Sequence, residues 1–270
     1  MNAQASVDAA QTTEAVLMCE HRAGVTTLTL NRPKQLNALN ARLLDELQTA
    51  LESIAQSQDV RVVVLAGVGA AFSPGHDLKE MMANRNESFI GRLFEQCSNL
   101  MLTMARLPQP IVARVQGIAT AGGCQLVAAC DMAVASAEAR FATSGINFGL
   151  FCATPGVAVS RNVSRKRAFE MLFTGEFIDA RTALEWGLVN RVVPRSQLDE
   201  EIAALARTII EKPAAVIAAG KRLFYEQLES SMPNAYRMAS AAITRNMLGP
   251  DAAEGVGAFL EKRKPKWPSG

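Results

Sequence analysis

Two glycine-containing segments of this sequence contain the groups best suited to bind an anionic oxygen. In the first, Gly75 follows a proline, which has no N–H, and allows a turn with positive φ that aims the amide of His76 outward. In the second, Gly122 and Gly123 fall in the first turn of a predicted helix, where amides are unpaired and the helix dipole is positive. Two such donors around one oxygen form an oxyanion hole, and each contributes about 3 to 4 kcal/mol when water is excluded. Close packing and an ordinary turn are the alternatives that the spacing leaves open.

The first segment is not a nucleotide-binding loop. Gly67 and Gly69 begin a G-x-G-x-x-G pattern, but the third glycine would fall at Phe72. The lysine of a phosphate-binding P-loop does not follow either segment. Both segments are therefore interpreted as loops that present free backbone amides at the ends of strands, where ligands of open α/β folds bind.

Strand-like and helix-like patterns alternate in the first part of the chain. Residues 25–30, 60–67 and 110–117 are β-branched apolar runs of strand length. Between the first two runs, four apolar residues recur at helical spacing after Asn40, a suitable N-cap: Leu43, Leu47, Leu51 and Ile54. Two shorter extended pieces, DMAVAS and ARFATSG, follow the helix that contains the glycine pair. The alternation predicts an α/β fold, and the chain becomes helical after a boundary near residues 194–196.

The composition is that of a globular protein without a polyanionic partner. Of the 270 residues, 49% are hydrophobic, which is enough for one large core, or for a core with a helical appendage. Lys and Arg (28) nearly balance Asp and Glu (26), so we expect no nucleic-acid partner. The N-terminus has no basic or apolar leader pattern and no arginine before Arg22, and no long apolar run predicts a membrane span. A cytoplasmic location is expected.

The cysteines and histidines do not form a metal-binding pattern. The five cysteines are an odd number without a C-x-x-C pair, and neither His21 nor His76 stands beside a cysteine pair. We expect the cysteines to be reduced, buried, small apolar residues, and we expect no metal.

Several motifs, in order along most of the chain, resemble those of the crotonase (enoyl-CoA hydratase/isomerase) superfamily. They are LNRPKQLNALN, AFSPGHDLKEM, IATAGGCQLVAACDMAVAS, RFATSGINFGL, FTGEFIDARTALEWGLVNRVVP and GVGAFLEKRKPKW. One branch of the family has segments similar to GHDLKE, GCQLVAACD and GLFCATPGVA. The resemblance implies an α/β fold with a spiral ββα core at residues 16–195 and a helical region at 196–270 that forms homotrimers, or hexamers built as dimers of trimers. Residues 1–15 are predicted to be a disordered tail.

The resemblance also implies an acyl-CoA thioester substrate, and no cofactor apart from the coenzyme A of that substrate. The family's oxyanion amides fall on His76 and Gly122, in agreement with the argument from free amides. Lys34, Leu36 and Ala38 would lie along the coenzyme. Of the basic tail, Lys262 would meet its phosphates, with Phe259 on the apolar side. Gly75, Asp77, Leu78 and Gly123 are further residues expected to take part in substrate binding. The candidates to line the acyl pocket are Ser144, Asn147 and Cys152.

The acid–base residues of the family's hydratases are missing. The two glutamates that flank the attacking water correspond to Gln125 and Gly145. An amide takes up no proton near neutral pH, and glycine has no side chain. General acid–base groups contribute about 10²- to 10⁴-fold each, so hydratase activity is expected to be poor. The simple isomerases of the family use a single acid at the second of these positions, and Gly145 takes that position here.

Three readings stay open at this point. The chain is an acyl-CoA enzyme with altered chemistry, a non-catalytic acyl-CoA-binding protein, or a decarboxylase of malonyl-type thioesters that uses His76. The tyrosine partner of the decarboxylases corresponds to Cys152, and a Cys152–His76 thiolate pair is a less favoured possibility. Asp77 and Glu80 are better explained as capping or surface acids.

Overall fold

The computed structural model of the chain describes residues 15–268, and all structural statements below refer to that range. The predicted disordered tail lies outside it, except for Ala15. Within the range, two β-sheets and a set of helices alternate along the chain.

The larger sheet has six strands in the order β1-β2-β3-β5-β7-β10. They are β1 (Leu17–Arg22), β2 (Val25–Leu30), β3 (Val62–Gly67), β5 (Ile111–Val115), β7 (Met132–Ser136) and β10 (Arg191–Val193). Only β1 runs antiparallel to its neighbour. Every residue of β3 is buried, because parallel strands in the middle of a sheet are covered on both faces.

The smaller sheet has four strands of two or three residues, in the order β4-β6-β8-β9. They are β4 (Ala71–Ser73), β6 (Ile118–Thr120), β8 (Arg140–Ala142) and β9 (Ile178–Asp179). Each of three successive turns of chain places one strand in the larger sheet and the next in the smaller sheet before a helical segment follows. This arrangement is the ββα spiral that the resemblance implies, and that prediction of fold class is confirmed. Periodicity did not predict β4 and β6, because three residues are too few to show a repeat.

The helices follow the strands. They are α1 (Ala41–Ala55), α2 (Leu78–Ala83), α3 (Glu87–Arg106), α4 (Gly122–Ala129), α5 (Ala153–Asn162), α6 (Arg165–Thr174), α7 (Ala180–Trp186), α8 (Leu198–Ile210), α9 (Ala214–Leu228), α10 (Met232–Met247) and α11 (Pro250–Leu260). The predicted start of α1 is confirmed, since the Asn40 side chain accepts a hydrogen bond from the Leu43 amide at 3.0 Å. The predicted apolar face of α1 is buried in the core.

All regular elements beyond the predicted boundary near residues 194–196 are helical. The first of them, α8, nonetheless packs against the larger sheet, with Leu198 and Ile202 contacting a cluster that includes Val64, Val112 and Val134. On α9, the Lys221 ammonium forms a buried ion pair with Asp131 at 2.6 Å. The first two C-terminal helices are therefore attached to the core, and the division at residues 195 and 196 stays a prediction.

The five cysteines are free thiols, as expected, and four of them are buried. The prediction of burial is wrong for Cys19, because this residue lies on the exposed edge strand β1. No helix within residues 15–268 is long and apolar enough to span a membrane.

Candidate active site

Three loops meet at one edge of the smaller sheet. They follow β4, β6 and β8, which are parallel neighbours, so the carboxyl ends of these strands lie side by side. A hydrogen bond of 2.8 Å joins the hydroxyls of Thr120 and Ser144, and thus the second and third loops. A Cβ placed on Gly122 would lie 3.3 Å from the Cα of Gly75, so the first and second loops are also in contact.

The first loop turns at Gly75 and leaves the amide of His76 unpaired. Gly75 has φ +95°, and a Cβ at this position would lie 2.8 Å from the amide nitrogen of Gly122, so no side chain fits there. Leu39 pairs with both neighbours of His76: its N–H donates to the Gly75 carbonyl at 2.8 Å, and its carbonyl accepts from the Asp77 amide at 2.9 Å. The N–H of His76 itself points away from Leu39 and donates no hydrogen bond within the described residues.

The second loop reaches the start of α4 through a strained residue. Ala121 has φ +48° and ψ −119°, a region that non-glycine residues rarely occupy and that costs about 1 to 3 kcal/mol. The first helical hydrogen bond runs from the Gln125 amide to the Ala121 carbonyl at 3.0 Å, so the amides of Gly122 and Gly123 have no partner inside the helix. The prediction that both glycines lie in the first turn of a helix is confirmed.

The glycine pair also allows close packing. A Cβ on Gly123 would lie 2.1 Å from the carbonyl oxygen of Ser73, and a Cβ on Gly122 would lie 3.2 Å from Nδ1 of His76. The glycines therefore allow close packing of α4 against β4, and this packing brings the loops that contain His76 and Gly122 into contact.

Gln125 is enclosed by the protein. The residue is 3% exposed, and its side-chain oxygen is buried without a hydrogen-bond partner among residues 15–268. A buried polar atom without a partner costs about 1 to 3 kcal/mol, and four other buried side-chain oxygens of the described residues share this state, those of Gln48, Gln109, Gln116 and Thr154.

Gly145 has no room for a side chain. A Cβ there would lie 2.6 Å from the Leu150 carbonyl oxygen and 2.7 Å from the Cys152 sulfur, and the Gly145 amide donates a hydrogen bond to that sulfur at 3.3 Å. Burial raises the pKa of the Cys152 thiol, so the group stays protonated at neutral pH. Cys152 thus bonds to the backbone of its own loop, and the thiolate pair with His76 is not formed in the structure.

The His76 side chain is half-buried, and its imidazole is neutral. Burial lowers its pKa to about 4, and the ring packs against Phe94 with 4.9 Å between ring centres. Its Nε2 atom is buried and has no hydrogen-bond partner in the part of the chain that the structure describes. An imidazole with this pKa is uncharged at neutral pH.

Asp77 and Glu80 take the capping roles considered from the sequence. One oxygen of Asp77 accepts from the amides of Lys79 and Glu80 at the start of α2, and its other oxygen accepts from Arg32 at 2.9 Å. The Glu80 carboxylate accepts from the Ala41 amide at 3.0 Å, at the start of α1. Both Asp77 oxygens are occupied by protein groups, so any effect of Asp77 on a substrate would act through the loop.

The other predicted binding residues divide into two groups. Near the loops, Lys34, Leu36 and Leu78 are exposed, while Ala38 is buried. The carboxamide of Asn147 bonds to the Gly175 carbonyl at 3.3 Å and is directed to that turn. Phe259, which is 80% exposed, and Lys262 lie at the end of α11, and no side-chain hydrogen bond or ion pair within residues 15–268 joins them to the loops.

Sequence reasoning missed the residues that hold the first loop in place. Asn37 accepts from the Arg32 amide at 3.0 Å and donates to the carbonyls of Val68 and Ala71, each at 2.9 Å. The Ser73 hydroxyl donates to the Asn37 carbonyl at 2.9 Å. Asn37 and Arg32 both stand in the quoted LNRPKQLNALN motif, but their partners on the first loop, in β4 and before β4 lie more than 30 residues away and leave no local signal.

A groove of about 720 Å³ between α1 and α3 contains none of the residues of the three loops. The candidate site is therefore identified by its chemistry and not by the size of a cavity.

Comparisons with known proteins agree with this architecture. The family model described as enoyl-CoA hydratase/isomerase matches residues 20–270. Enoyl-CoA hydratase domain-containing protein 3, mitochondrial, of Homo sapiens is 45% identical over 244 residues, which cover 90% of this chain and 80% of that protein. The crystal structure of this human protein has a TM-score of 0.91 at 43% identity, and the match covers 94% of this chain and 100% of the chain in that structure. An enoyl-CoA hydratase structure from Mycobacterium smegmatis has a TM-score of 0.92 at 55% identity, with 94% and 99% covered.

The prediction of a cytoplasmic location is wrong. The similar proteins of rat, human and mouse, each 45% identical to this chain, are all named as mitochondrial. The prediction depended on the composition of the residues before Arg22, which does not determine the compartment of the protein.

Proposed function

Because this chain belongs to the enoyl-CoA hydratase/isomerase family, we propose that it binds acyl-CoA thioesters and holds the thioester oxygen between the amides of His76 and Gly122. The observation that carries the proposal is the contact between the two loops, where a Cβ on Gly75 would lie 2.8 Å from the Gly122 nitrogen. Two unpaired main-chain donors next to each other stabilise the negative charge that develops on the oxygen when the thioester becomes an enolate.

The proposed chemistry does not include efficient hydration of a double bond. Hydration needs one group to remove a proton from water and another to deliver a proton to carbon. The amide of Gln125 does neither, and at Gly145 the space of a side chain is taken by the Cys152 sulfur and the Leu150 carbonyl. With a pKa of about 4, the His76 imidazole is neutral near pH 7, so it holds no extra proton to deliver to carbon.

The second candidate is an acyl-CoA-binding protein without turnover. It is favoured by the same contact at Gly145, because the third loop closes over the position where an acid would stand. In this candidate the buried Gln125 oxygen, which has no partner within the described residues, binds a water or a polar atom of the acyl group without proton transfer.

A turnover and binding screen separates the candidates. The purified protein is incubated with saturated, 2-enoyl, 3-enoyl and malonyl-type CoA thioesters, each mixture is analysed by mass spectrometry, and the melting temperature is measured with each ester and with free CoA. We expect the esters to raise the melting temperature more than free CoA does, with little water added to the 2-enoyl ester. No stabilisation by any ester would contradict the proposal, and fast hydration would contradict the role assigned to Gln125 and Gly145.

The malonyl-type ester tests the decarboxylase reading in the same experiment. If decarboxylation depends on the imidazole, we expect it to disappear in His76→Ala. Binding of the ester should survive, because the main-chain N–H of residue 76 is kept in that variant. Normal decarboxylation by His76→Ala would exclude a role for the side chain.

We also propose that copies of the chain assemble through the C-terminal helices, as the resemblance implies. Large apolar side chains are exposed along α10 and α11, among them Met232, Tyr236, Leu248 and Phe259. Exposed apolar surface of this extent is typical of protein–protein interfaces. Light scattering of the purified protein measures the mass of the assembly, and a monomer at micromolar concentration would contradict the proposal.

A further inference from the structure

Arg32 connects residues 37–39 to Asp77, the residue that follows His76 in the first loop. Its Nη2 donates to Asp77 at 2.9 Å, its Nη1 donates to the Ala38 carbonyl, and its main-chain N–H donates to the Asn37 carboxamide at 3.0 Å. The side chains of Arg32 and Asp77 are each only 13% exposed. One guanidinium therefore holds residues 37–39 against the residue that follows His76.

The ion pair reinforces a short backbone pairing. Leu39 makes two hydrogen bonds, to Gly75 and from Asp77, and together they set the direction of the amide between them. The net contribution of a neutral hydrogen bond to stability is small, so a pairing of one residue is weak by itself. Hydrogen bonds between charged groups are roughly twice as strong, and those of Arg32 act on both segments of the pairing.

From this arrangement we propose that the Arg32–Asp77 ion pair is a positioning element that keeps the N–H of His76 directed at the thioester oxygen. The inference rests on the proposed function. Loss of the pair frees Asp77 to move with respect to Leu39 and turns the His76 amide, while the Gly122 amide, at the start of α4, keeps its place.

The carboxylate of Asp77 is ionised throughout the pH range of an assay. Burial alone raises its pKa, but the hydrogen bonds from Arg32 and from the amides of Glu80 and Lys79 outweigh burial and hold the pKa below its usual value. The attraction to the Arg32 guanidinium acts in the same direction.

Asp77→Ser separates the ion pair from the helix cap. Serine is a good N-cap, so the variant keeps a partner for the first amides of α2 and loses the charge that binds Arg32. Asp179→Ser is the matched control, because Asp179 caps α7 by accepting from the Thr182 amide at 2.7 Å and forms no ion pair among the described residues. Arg32→Lys and Arg32→Ala form a second pair of variants that keep the cap intact.

The measurement is the infrared stretching frequency of a ¹³C-labelled thioester carbonyl in saturated butyryl-CoA, bound at saturation to each protein. Hydrogen bonds to the oxygen lower this frequency, and a change in folding stability alone does not. We expect a downshift in the wild type, loss of at least half of that shift in Asp77→Ser, and the full shift in Asp179→Ser. Arg32→Lys is expected to keep part of the shift that Arg32→Ala loses.

The outcomes distinguish the inference from the function on which it rests. A full downshift in both Asp77→Ser and Arg32→Ala would overturn the positioning role and leave the oxyanion hole intact. A bound carbonyl without any shift in the wild type would overturn the oxyanion hole, and the positioning role with it. If Asp77→Ser does not fold, the two Arg32 variants decide the question by the same measurement.

Discussion

The two halves of the candidate site depend on different groups of the same loops: main-chain amides in one half and side chains in the other. The half that binds oxygen uses main-chain amides, and its geometry is set by Gly75 with φ +95°, by Ala121 with φ +48°, and by the contact between their loops. The half that would move protons depends on side chains, and there the chain has Gln125 and Gly145. Main-chain donors persist as long as the backbone keeps its course, whereas one substitution removes an acid without changing the fold. The proposed oxygen-binding half therefore needs only the course of the backbone, whereas the proton-transfer half has no titratable side chain at residues 125 and 145.

Gly75→Ala is expected to have the largest effect, because it breaks the oxygen-binding half. The new methyl group would lie 2.8 Å from the Gly122 nitrogen, in a residue with positive φ. Loss of one oxyanion donor lowers turnover by about 10²- to 10³-fold in enzymes that use such a hole. We expect a drop of this size in any thioester turnover found in the screen, together with loss of the carbonyl downshift of bound butyryl-CoA.

The control for Gly75→Ala is Gly149→Ala. Gly149 also has positive φ, at +74°, but a Cβ there meets no atom within 4 Å. Backbone strain is thus similar in the two variants, and only Gly75→Ala places a methyl group against the Gly122 nitrogen. If both variants lowered turnover equally, strain and not occupation of the hole would be the cause.

The pH dependence of stability tests the half-buried side chain of His76. Its pKa is about 4 in the folded protein and near 6.5 when the chain is unfolded, so between these values the unfolded chain binds the proton first. Stability is therefore highest above pH 6.5 and falls by about 3 kcal/mol as the pH drops to about 4. Denaturant titrations at several pH values measure this change, and His76→Gln, which does not titrate, serves as the reference. Parallel curves for the two proteins would show that the ring is accessible to protons in the folded state.

Gly145→Glu tests whether the proton-transfer half is restored by adding an acid. The new Cβ would lie 2.6 Å from the Leu150 carbonyl oxygen, a main-chain atom that moves only with its loop. We expect no gain in hydration of a 2-enoyl thioester and a loss of about 1 to 3 kcal/mol in the free energy of unfolding, as for other overpacked positions. Gain of hydratase activity together with full stability would mean that the third loop opens readily to accept the glutamate. The two halves would then differ only in their side chains, and not in the space available at residue 145.

The parts of this site that the sequence predicted are those with local signals. Asn40 and the apolar repeat after it predict α1, and the glycine pair predicts the start of α4 at Gly122. The His76 amide was singled out because Pro74 lacks an N–H and Gly75 permits the turn, and its role as a donor to the thioester oxygen stays a prediction.

The parts that sequence reasoning missed depend on contacts between distant residues. The positive φ of Ala121 has no signal in an alanine, and the three residues of β4 and β6 are too few for a period. The ion pair of Arg32 with Asp77 spans 45 residues, so no spacing rule connects the two side chains. These features appear only when the spiral brings neighbouring turns together.

Cys152→Ala is expected to have the smallest effect and gives the finest test of the contrast. The variant removes the sulfur that accepts the Gly145 amide, and we expect a loss of about 1 kcal/mol, the size of one hydrogen bond. Combined with Gly145→Ala in a double-mutant cycle, it measures how much of the crowding at residue 145 comes from the sulfur and how much from the Leu150 carbonyl. Because the carbonyl contact of 2.6 Å remains in the double variant, we expect only part of the cost of Gly145→Ala to be recovered. Full recovery would mean that the Cys152 sulfur alone excludes a side chain at residue 145. A glutamate at that position would then need only the additional removal of this sulfur.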